Sequence, residues 1–232
     1  MIDNVELTLS PSELENSGDM KEDVYTLLKR MIMKREFTPN ERLDAYEIAK
    51  QLNTSRTPVR DALNKLDAEG FIKTFPRKGT FVTGIYKQDL IHLFQYREMN
   101  ELYALELGFE KLCVQTAKFE LEIAKWDEML KAEEYDGTLI MESDVLFHKH
   151  IVHSTDNPIM INLFENVNCH VHIARGYYLQ DTQRMLEASQ EHKAILNNLL
   201  DKNKAGAKAA LKQHLDNTLD GLLKMIAIYK IF

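Results

Sequence analysis

Two groups of residues in this chain have types and spacings that could do chemistry. The first lies in the run Ser55-Arg56-Thr57-Pro58-Val59-Arg60-Asp61-Ala62-Leu63. Thr57 can cap a helix by accepting from the free amides of its first turn. Pro58 then falls at the first helical position, where its missing N–H costs nothing. Val59, Ala62, Leu63 and Leu66 recur at helical spacing and predict one buried face. Arg56 and Arg60 stand four apart at the N-terminal end, where a helix in a major groove meets phosphates and base edges. Taken alone, a capped and charged surface helix reads equally well. The second group is a carboxylate with three imidazoles. Asp144 and His148 are four apart and share a helix face. His192 lies among Leu186, Ile195, Leu196 and Leu199, and His214 among Leu211, Leu215 and Leu219. Oxygen and nitrogen donors of this kind suit Zn²⁺, Ni²⁺, Mn²⁺ or Fe²⁺. Spacing does not say whether three distant helices meet, so the same residues also read as hydrogen-bonded core histidines. His150, His153, His170 and His172 are weaker candidates, the last two because residues two apart face different sides of a helix.

The elements around the first group predict a winged helix-turn-helix. Apolar residues at Val24, Leu27, Leu28, Met31 and Ile32 predict an amphipathic helix over 21–34. Phe37 to Leu43 reads as a turn broken by Pro39. Asp44 with Glu47 has the form of a capping box and opens a short helix to about Leu52. The recognition helix should stop at Gly70, a natural residue just past a helix end. Phe71–Phe75 and Thr80–Thr83 are β-branched and aromatic, and flank Pro76-Arg77-Lys78-Gly79 as a hairpin loop. Arg77 and Lys78 at its tip would meet the DNA backbone or minor groove, with Gly79 allowing close approach. Beyond Tyr86 strand signals give way to helical periodicity over 88–115, 118–134, 138–153, 158–180, 182–201 and 204–229, an antiparallel bundle with short links. The fold class expected is therefore mostly α: three helices plus a β-hairpin, then an all-α bundle. The domains are 1–19 a loose arm, 20–84 the winged helix and 85–232 the bundle.

Charge divides along the same boundary. Residues 20–84 hold thirteen Lys/Arg against nine Asp/Glu, so the chain's net −7 is concentrated in the remainder. A mildly basic module joined to an acidic one suits a protein that grips DNA with one part and senses something with the other. No run of about 18 apolar residues predicts a membrane span. The acidic start Met1-Ile2-Asp3-Asn4-Val5-Glu6 does not resemble a secretory signal, so a cytoplasmic location is expected. Cys113 and Cys169 are the only cysteines, too few for a disulfide framework.

With these residues in place the chain resembles the GntR family of bacterial transcription regulators, in the FadR-like branch with a C-terminal FCD ligand-binding domain. The resemblance runs from about Lys21 to Ile226. It rests on Glu41-Arg42-Leu43, Ser55–Leu63, Leu66, Glu69-Gly70 and Arg77-Lys78-Gly79-Thr80-Phe81-Val82. In the bundle it rests on Arg97 with Glu101, Asp144-Val145-Leu146-Phe147-His148, Asn157-Pro158, Glu191-His192 and His214. It implies DNA contacts at Ser55, Arg56, Thr57 and Arg60, with Tyr46 at a position that is often basic in relatives. It implies a divalent metal, Zn²⁺ or Ni²⁺ first, on Asp144, His148, His192 and His214. It also implies that Arg97 meets the carboxylate of an organic-acid effector, since guanidinium offers a planar two-toothed fork. Asn100 stands where relatives commonly carry an apolar residue. The expected function is a ligand-responsive, operator-binding transcription repressor, homodimeric and not an enzyme. Two rivals are a metal-dependent hydrolase or lyase with an accessory winged helix, and a regulator for which the metal itself is the signal.

Overall fold

The first helix forms where the sequence places its apolar stripe. The computed structural model describes residues 20–33, 36–84, 86–131, 137–167 and 182–229. Within them α1 spans Met20–Met33 and buries Val24, Leu27, Leu28, Met31 and Ile32. β1 (Arg42–Leu43), α2 (Ala45–Gln51), α3 (Arg56–Ala68), β2 (Ile72–Phe75) and β3 (Gly79–Val82) follow. α1 packs on α3 and α2 on α3. Asp44 caps α2, accepting from the Tyr46 amide at 2.8 Å and the Glu47 amide at 3.4 Å. At the α1–α3 contact the Tyr25 hydroxyl donates to Glu69 at 2.7 Å, and Lys65 lies 3.6 Å from the centre of the Tyr25 ring.

The structure corrects the sequence reading at two places in this unit and adds a role for a third residue. Helix α3 begins at Arg56 with Ser55 as its N-cap, so Thr57 is its second residue and Pro58 its third. Amides of the first turn have no partner within the helix, so proline fits there as well as at the first position. Ser55 makes no side-chain capping bond. Next, Arg42–Leu43 is a short strand rather than part of a turn. It pairs antiparallel with β3, Arg42 opposite Phe81, giving a three-stranded sheet in the order β1-β3-β2. Gly79, finally, is required by the wing itself. Its φ of 115° is closed to other residues without strain, and a Cβ there would fall 2.9 Å from Arg42 Nε. The turn before the recognition helix uses Asn53 at φ 48°, one of the few non-glycine residues that tolerate this conformation.

From Tyr86 onward the described residues form a second unit. Its helices are α4 (Lys87–Val114), α5 (Thr116–Met129), α6 (Gly137–His153), α7 (Pro158–Val167), α8 (Thr182–Leu200) and α9 (Lys204–Tyr229). α5 starts two residues before its expected position and ends at Met129 rather than near 134. The arm at 1–19, Cys169, His170, His172 and the later half of the expected 158–180 helix lie outside the described residues. α9 packs on α8 and α4, α6 on α5 and α4, and α8 on α5. Phe119 meets Phe147 edge-on with ring centres 4.9 Å apart, and both are fully buried. No helix among the described residues is long and apolar enough to cross a membrane.

Gly108 sets how closely the chain after α6 approaches α4. A Cβ at this position would lie 1.8 Å from Ser154 Oγ and 3.1 Å from the Ser154 carbonyl carbon. Gly108→Ala therefore forces the two segments apart and is expected to destabilise the protein by about 1–3 kcal/mol. Chemical denaturation of the variant measures this. A midpoint equal to wild type would show that the contact yields freely.

Candidate metal centre and nucleic-acid interface

Four side chains from three helices meet inside the second unit. α6 carries Asp144 and His148 on one face, α8 carries His192, and α9 carries His214. All four are buried, and one donor atom from each lies within 4.8 Å of the others. His192 Nε2 is 3.4 Å from Asp144 Oδ1, and His148 Nε2 is 3.7 Å from the same oxygen. His148 Nε2 and His214 Nε2 are 3.1 Å apart. His192 is fixed in orientation by Phe147, whose ring stacks on it at 3.9 Å and 8°. Trp126 of α5 meets the same imidazole edge-on at 5.3 Å.

Behind two of these imidazoles stand carboxylates. His148 Nδ1 donates to Glu101 Oε2 at 2.6 Å, and Arg97 Nε donates to Glu101 Oε1 at 2.6 Å. Burial works to raise the Glu101 carboxyl, but the Arg97 charge, with the interaction and hydrogen bond from His148 and the hydrogen bond from Arg97, outweighs it and holds the group at about 2. His214 Nδ1 donates to Glu191 Oε2 at 2.7 Å. Arg184 grips both oxygens of Glu191 at 2.7 Å, and Asn217 adds a third bond. Burial again pushes upward, yet the hydrogen bonds from His214 and Arg184 hold Glu191 at about 2. Both carboxylates are ionised acceptors, so each bonded Nδ1 carries its proton, and Nε2 is the atom left to each ring as a metal ligand. Burial, with help from Arg97 and against Glu101, lowers the pKa of His148 and favours its neutral form.

That arrangement fits a divalent cation. His148 Nε2 and His214 Nε2 lie at hydrogen-bond distance, 3.1 Å, so a bound cation would take the place of the proton shared between them, and an Asp144 oxygen stands at the same point. Typical ligand bonds of about 2.0–2.2 Å leave no two donors around an ion more than about 4.2 Å apart, and the four donors lie within 4.8 Å of one another, so a small inward movement of the outermost closes the set. Asp144, His148, His192 and His214 would hold the ion, and Glu101 and Glu191 would orient two of the imidazoles. The sequence reading did not give the two glutamates this role, nor Arg184 and Asn217. A signal existed: Glu101 is four residues after Arg97, and Arg184, Glu191, Asn217 and Thr218 recur at helical spacing around the ligand histidines.

The orienting carboxylates lead to a measurable expectation. Glu191→Ala leaves the His214 ring without its Nδ1 acceptor and should weaken metal binding about 10–100-fold. Titration calorimetry with Zn²⁺ at fixed pH measures the change. Equal affinity in the variant would remove Glu191 from the site.

The remaining histidines are placed elsewhere. His150 packs edge-on against Phe119, and His153 pairs with Glu165 at 3.2 Å on the surface. Arg97 is only 1% exposed, and Asn100, one turn further along the same buried face of α4, only 6%. In the first unit Tyr46, Ser55, Arg56, Thr57, Arg60, Arg77 and Lys78 all stand exposed, while Gly79 is half-buried. Arg56 and Arg60 occupy the first and fifth positions of α3, whose first turn holds no acidic residue.

Comparison with known proteins agrees with both halves. The family model described as bacterial regulatory proteins, gntR family, matches residues 20–82, and the FCD domain matches residues 92–217. The HTH-type transcriptional regulator YdhC of Bacillus subtilis (strain 168) is 28% identical over 204 residues, covering 85% of this chain and 88% of YdhC. Among solved structures, E. coli McbR/YncC superposes with a TM-score of 0.71 at 23% identity, covering 88% of this chain and 97% of that one. The Zn²⁺-bound FCD domain of TM0439 superposes with a TM-score of 0.51 at 23% identity, covering 60% of this chain and 95% of that one. These likenesses are to transcription regulators, not enzymes, and give the hydrolase or lyase reading no support.

Proposed function

The chain belongs to the GntR family of bacterial regulatory proteins and carries an FCD domain, a ligand-binding domain, and from that premise we propose an operator-binding repressor whose bundle holds one divalent metal and a small carboxylate effector. The observation that carries the reading is the convergence of Asp144, His148, His192 and His214 with ionised Glu101 and Glu191 behind two of the imidazoles. When bound, the metal supplies a Lewis-acidic anchor for an anionic ligand. Arg97 is the second anchor. Its Nε is committed to Glu101, while its Nη1 is buried and makes no hydrogen bond among the described residues. A carboxylate oxygen is the natural partner for such a group.

On the DNA side, Ser55, Arg56, Thr57 and Arg60 read the major groove, with Tyr46 beside them. Arg77 and Lys78 touch the backbone from the wing. Each chain has one reading head, and two-fold operators need two heads about 34 Å apart, so the active species is a homodimer. The effector acts by binding one spacing of the heads more tightly than the other.

The direct test is a mobility-shift assay on the DNA flanking the gene, at fixed salt. Protein stripped with chelator is compared with protein reloaded with Zn²⁺ or Ni²⁺, with and without simple carboxylates. Carboxylate-dependent release that requires the metal is the expected result. Binding that follows the metal alone would make the ion itself the signal. Binding indifferent to both would overturn the reading.

A further inference from the structure

The three-stranded sheet has two unlike faces. Residues directly opposite in an antiparallel pair point to one side, and neighbours along a strand alternate. Leu43, Ile72 and Val82 on one side are buried, with the Thr74 and Thr80 hydroxyls bonded to each other beyond them at 3.1 Å. The register puts Arg42, Lys73, Phe75, Gly79 and Phe81 on the other side. There Phe75 is 46% exposed, and its ring meets Phe81 edge-on with centres 6.1 Å apart. Gly79, directly opposite Phe75, has no side chain to cover the ring. Arg42 lies across β3 on this face, its Nε 2.9 Å from where a Gly79 Cβ would stand. Its ion pair with Asp44 is long, 3.9 Å, and exposed, and such pairs hold a side chain weakly. A tight turn, closed by the Lys78 amide donating to the Phe75 carbonyl at 3.1 Å, carries exposed Arg77 and Lys78 just beyond the ring. Residues 70–83 include Lys73, Arg77 and Lys78 and no acidic residue.

An apolar ring exposed among Arg42, Lys73, Arg77 and Lys78 fits a partner that is anionic at its edges and apolar between them. The minor groove of duplex DNA is such a surface. It is about 6 Å wide, bordered by two phosphate rows, and admits apolar side chains that wedge between base steps and kink the duplex. We propose that the outer face of the wing sheet is a second DNA-contact surface, in which Phe75 is a minor-groove wedge that bends the operator while Arg42 and Lys73 hold the phosphates beside it. The inference rests on the operator-binding reading given above. To the wing-tip contacts of Arg77 and Lys78 it adds two phosphate ligands and a deformation of the duplex. Phe75 also steadies the hairpin by packing on Phe81. That role by itself would change neither the shape of bound DNA nor the salt dependence of binding.

The experiment uses the full chain and a duplex of the DNA flanking the gene, with a dye at each end. Energy transfer between the ends reads the bend, and mobility shifts at several salt concentrations read the salt slope. Thermal denaturation of each variant checks that it is folded. Wild type is expected to bend the duplex by about 20° or more. Phe75→Ala should abolish the bend, whereas Phe75→Leu, which keeps an apolar wedge, should retain it. Arg42→Ala and Lys73→Ala should each lower the salt slope by about one. Wild type that binds and leaves the duplex straight, or a bend that survives Phe75→Ala, would overturn this inference and leave the recognition helix its role. Salt slopes unchanged in both Arg42→Ala and Lys73→Ala would remove the outer face from the DNA. No binding of the duplex by wild type, even at low salt, would overturn the operator-binding reading and this inference together.

Discussion

Protein purified without chelator is expected to carry about one divalent metal ion per chain, and to lose it when Asp144, His148 or His214 is replaced by alanine. The effect on stability should be large. An ion that binds only the folded chain adds about 4 kcal/mol when its free concentration exceeds Kd a thousandfold. The folded chain has the donors assembled: buried Nε2 atoms 3.1 Å apart, an aspartate oxygen within 3.7 Å, and carboxylates fixing two of the rings. An unfolded chain has them dispersed over 71 positions, from 144 to 214. Elemental analysis gives occupancy, and thermal denaturation with and without Zn²⁺ or Ni²⁺ gives the stabilisation. The chain's single tryptophan, Trp126, lies 5.3 Å from the His192 ring, so its fluorescence should report Ni²⁺ binding by quenching. Acid should weaken the complex, because protons compete for the imidazoles. Burial lowers the His148 pKa in the folded chain, so the unfolded chain takes up its proton first as pH falls through the ordinary histidine range. That group's protonation therefore removes stability on the acid side, and none above it. Glu101, held at about 2 against an ordinary 4.5, acts in the same direction, its contribution being lost as pH falls from about 4.5 to 2. Wild type without metal, and without a thermal shift on adding either ion, would leave the histidines as core residues.

Arg56→Ala and Arg60→Ala should each weaken operator binding by about 1–3 kcal/mol, and the double variant should lose specific binding at moderate salt. Both guanidinium groups are exposed, and neither pairs with an acidic side chain among the described residues, so each is available to DNA. A base contact and a phosphate contact separate by their signatures. Loss of a base contact relaxes the sequence preference at one position, whereas loss of a phosphate contact weakens all sequences and lowers the salt slope by about one. Lys125→Ala, in the second unit, serves as the control and should leave DNA binding unchanged. Equal affinity in both arginine variants would remove α3 from the recognition role.

Most elements were legible because their signals are local. The stripe Val24-Leu27-Leu28-Met31-Ile32 predicts α1, and the same residues are buried there. Asp44 caps α2 as its type requires, and Gly70, at φ 81°, follows the end of α3. Reading failed where the partner was distant or the signal permissive. Arg42–Leu43 is too short to show a strand pattern, and becomes a strand only because β3 lies beside it. Proline is tolerated anywhere in a first helical turn, so Pro58 could not fix the start of α3 to within two residues.

Apart from Arg42–Leu43, the sequence by itself determined which of the described segments are helices or strands, which face of each is apolar, and that Asp144 and His148 share a face. Periodicity carries this because backbone geometry repeats every 3.6 or two residues. Only the tertiary structure decided that His192 and His214 come to that face, that Glu101 reaches His148 from 47 positions away, and that Arg184 and Asn217 hold Glu191 behind His214. An apolar stripe states that a face is buried but not which other face covers it. That choice is made by side-chain packing across helices far apart in the chain, and it turns four separated polar residues into one buried donor set.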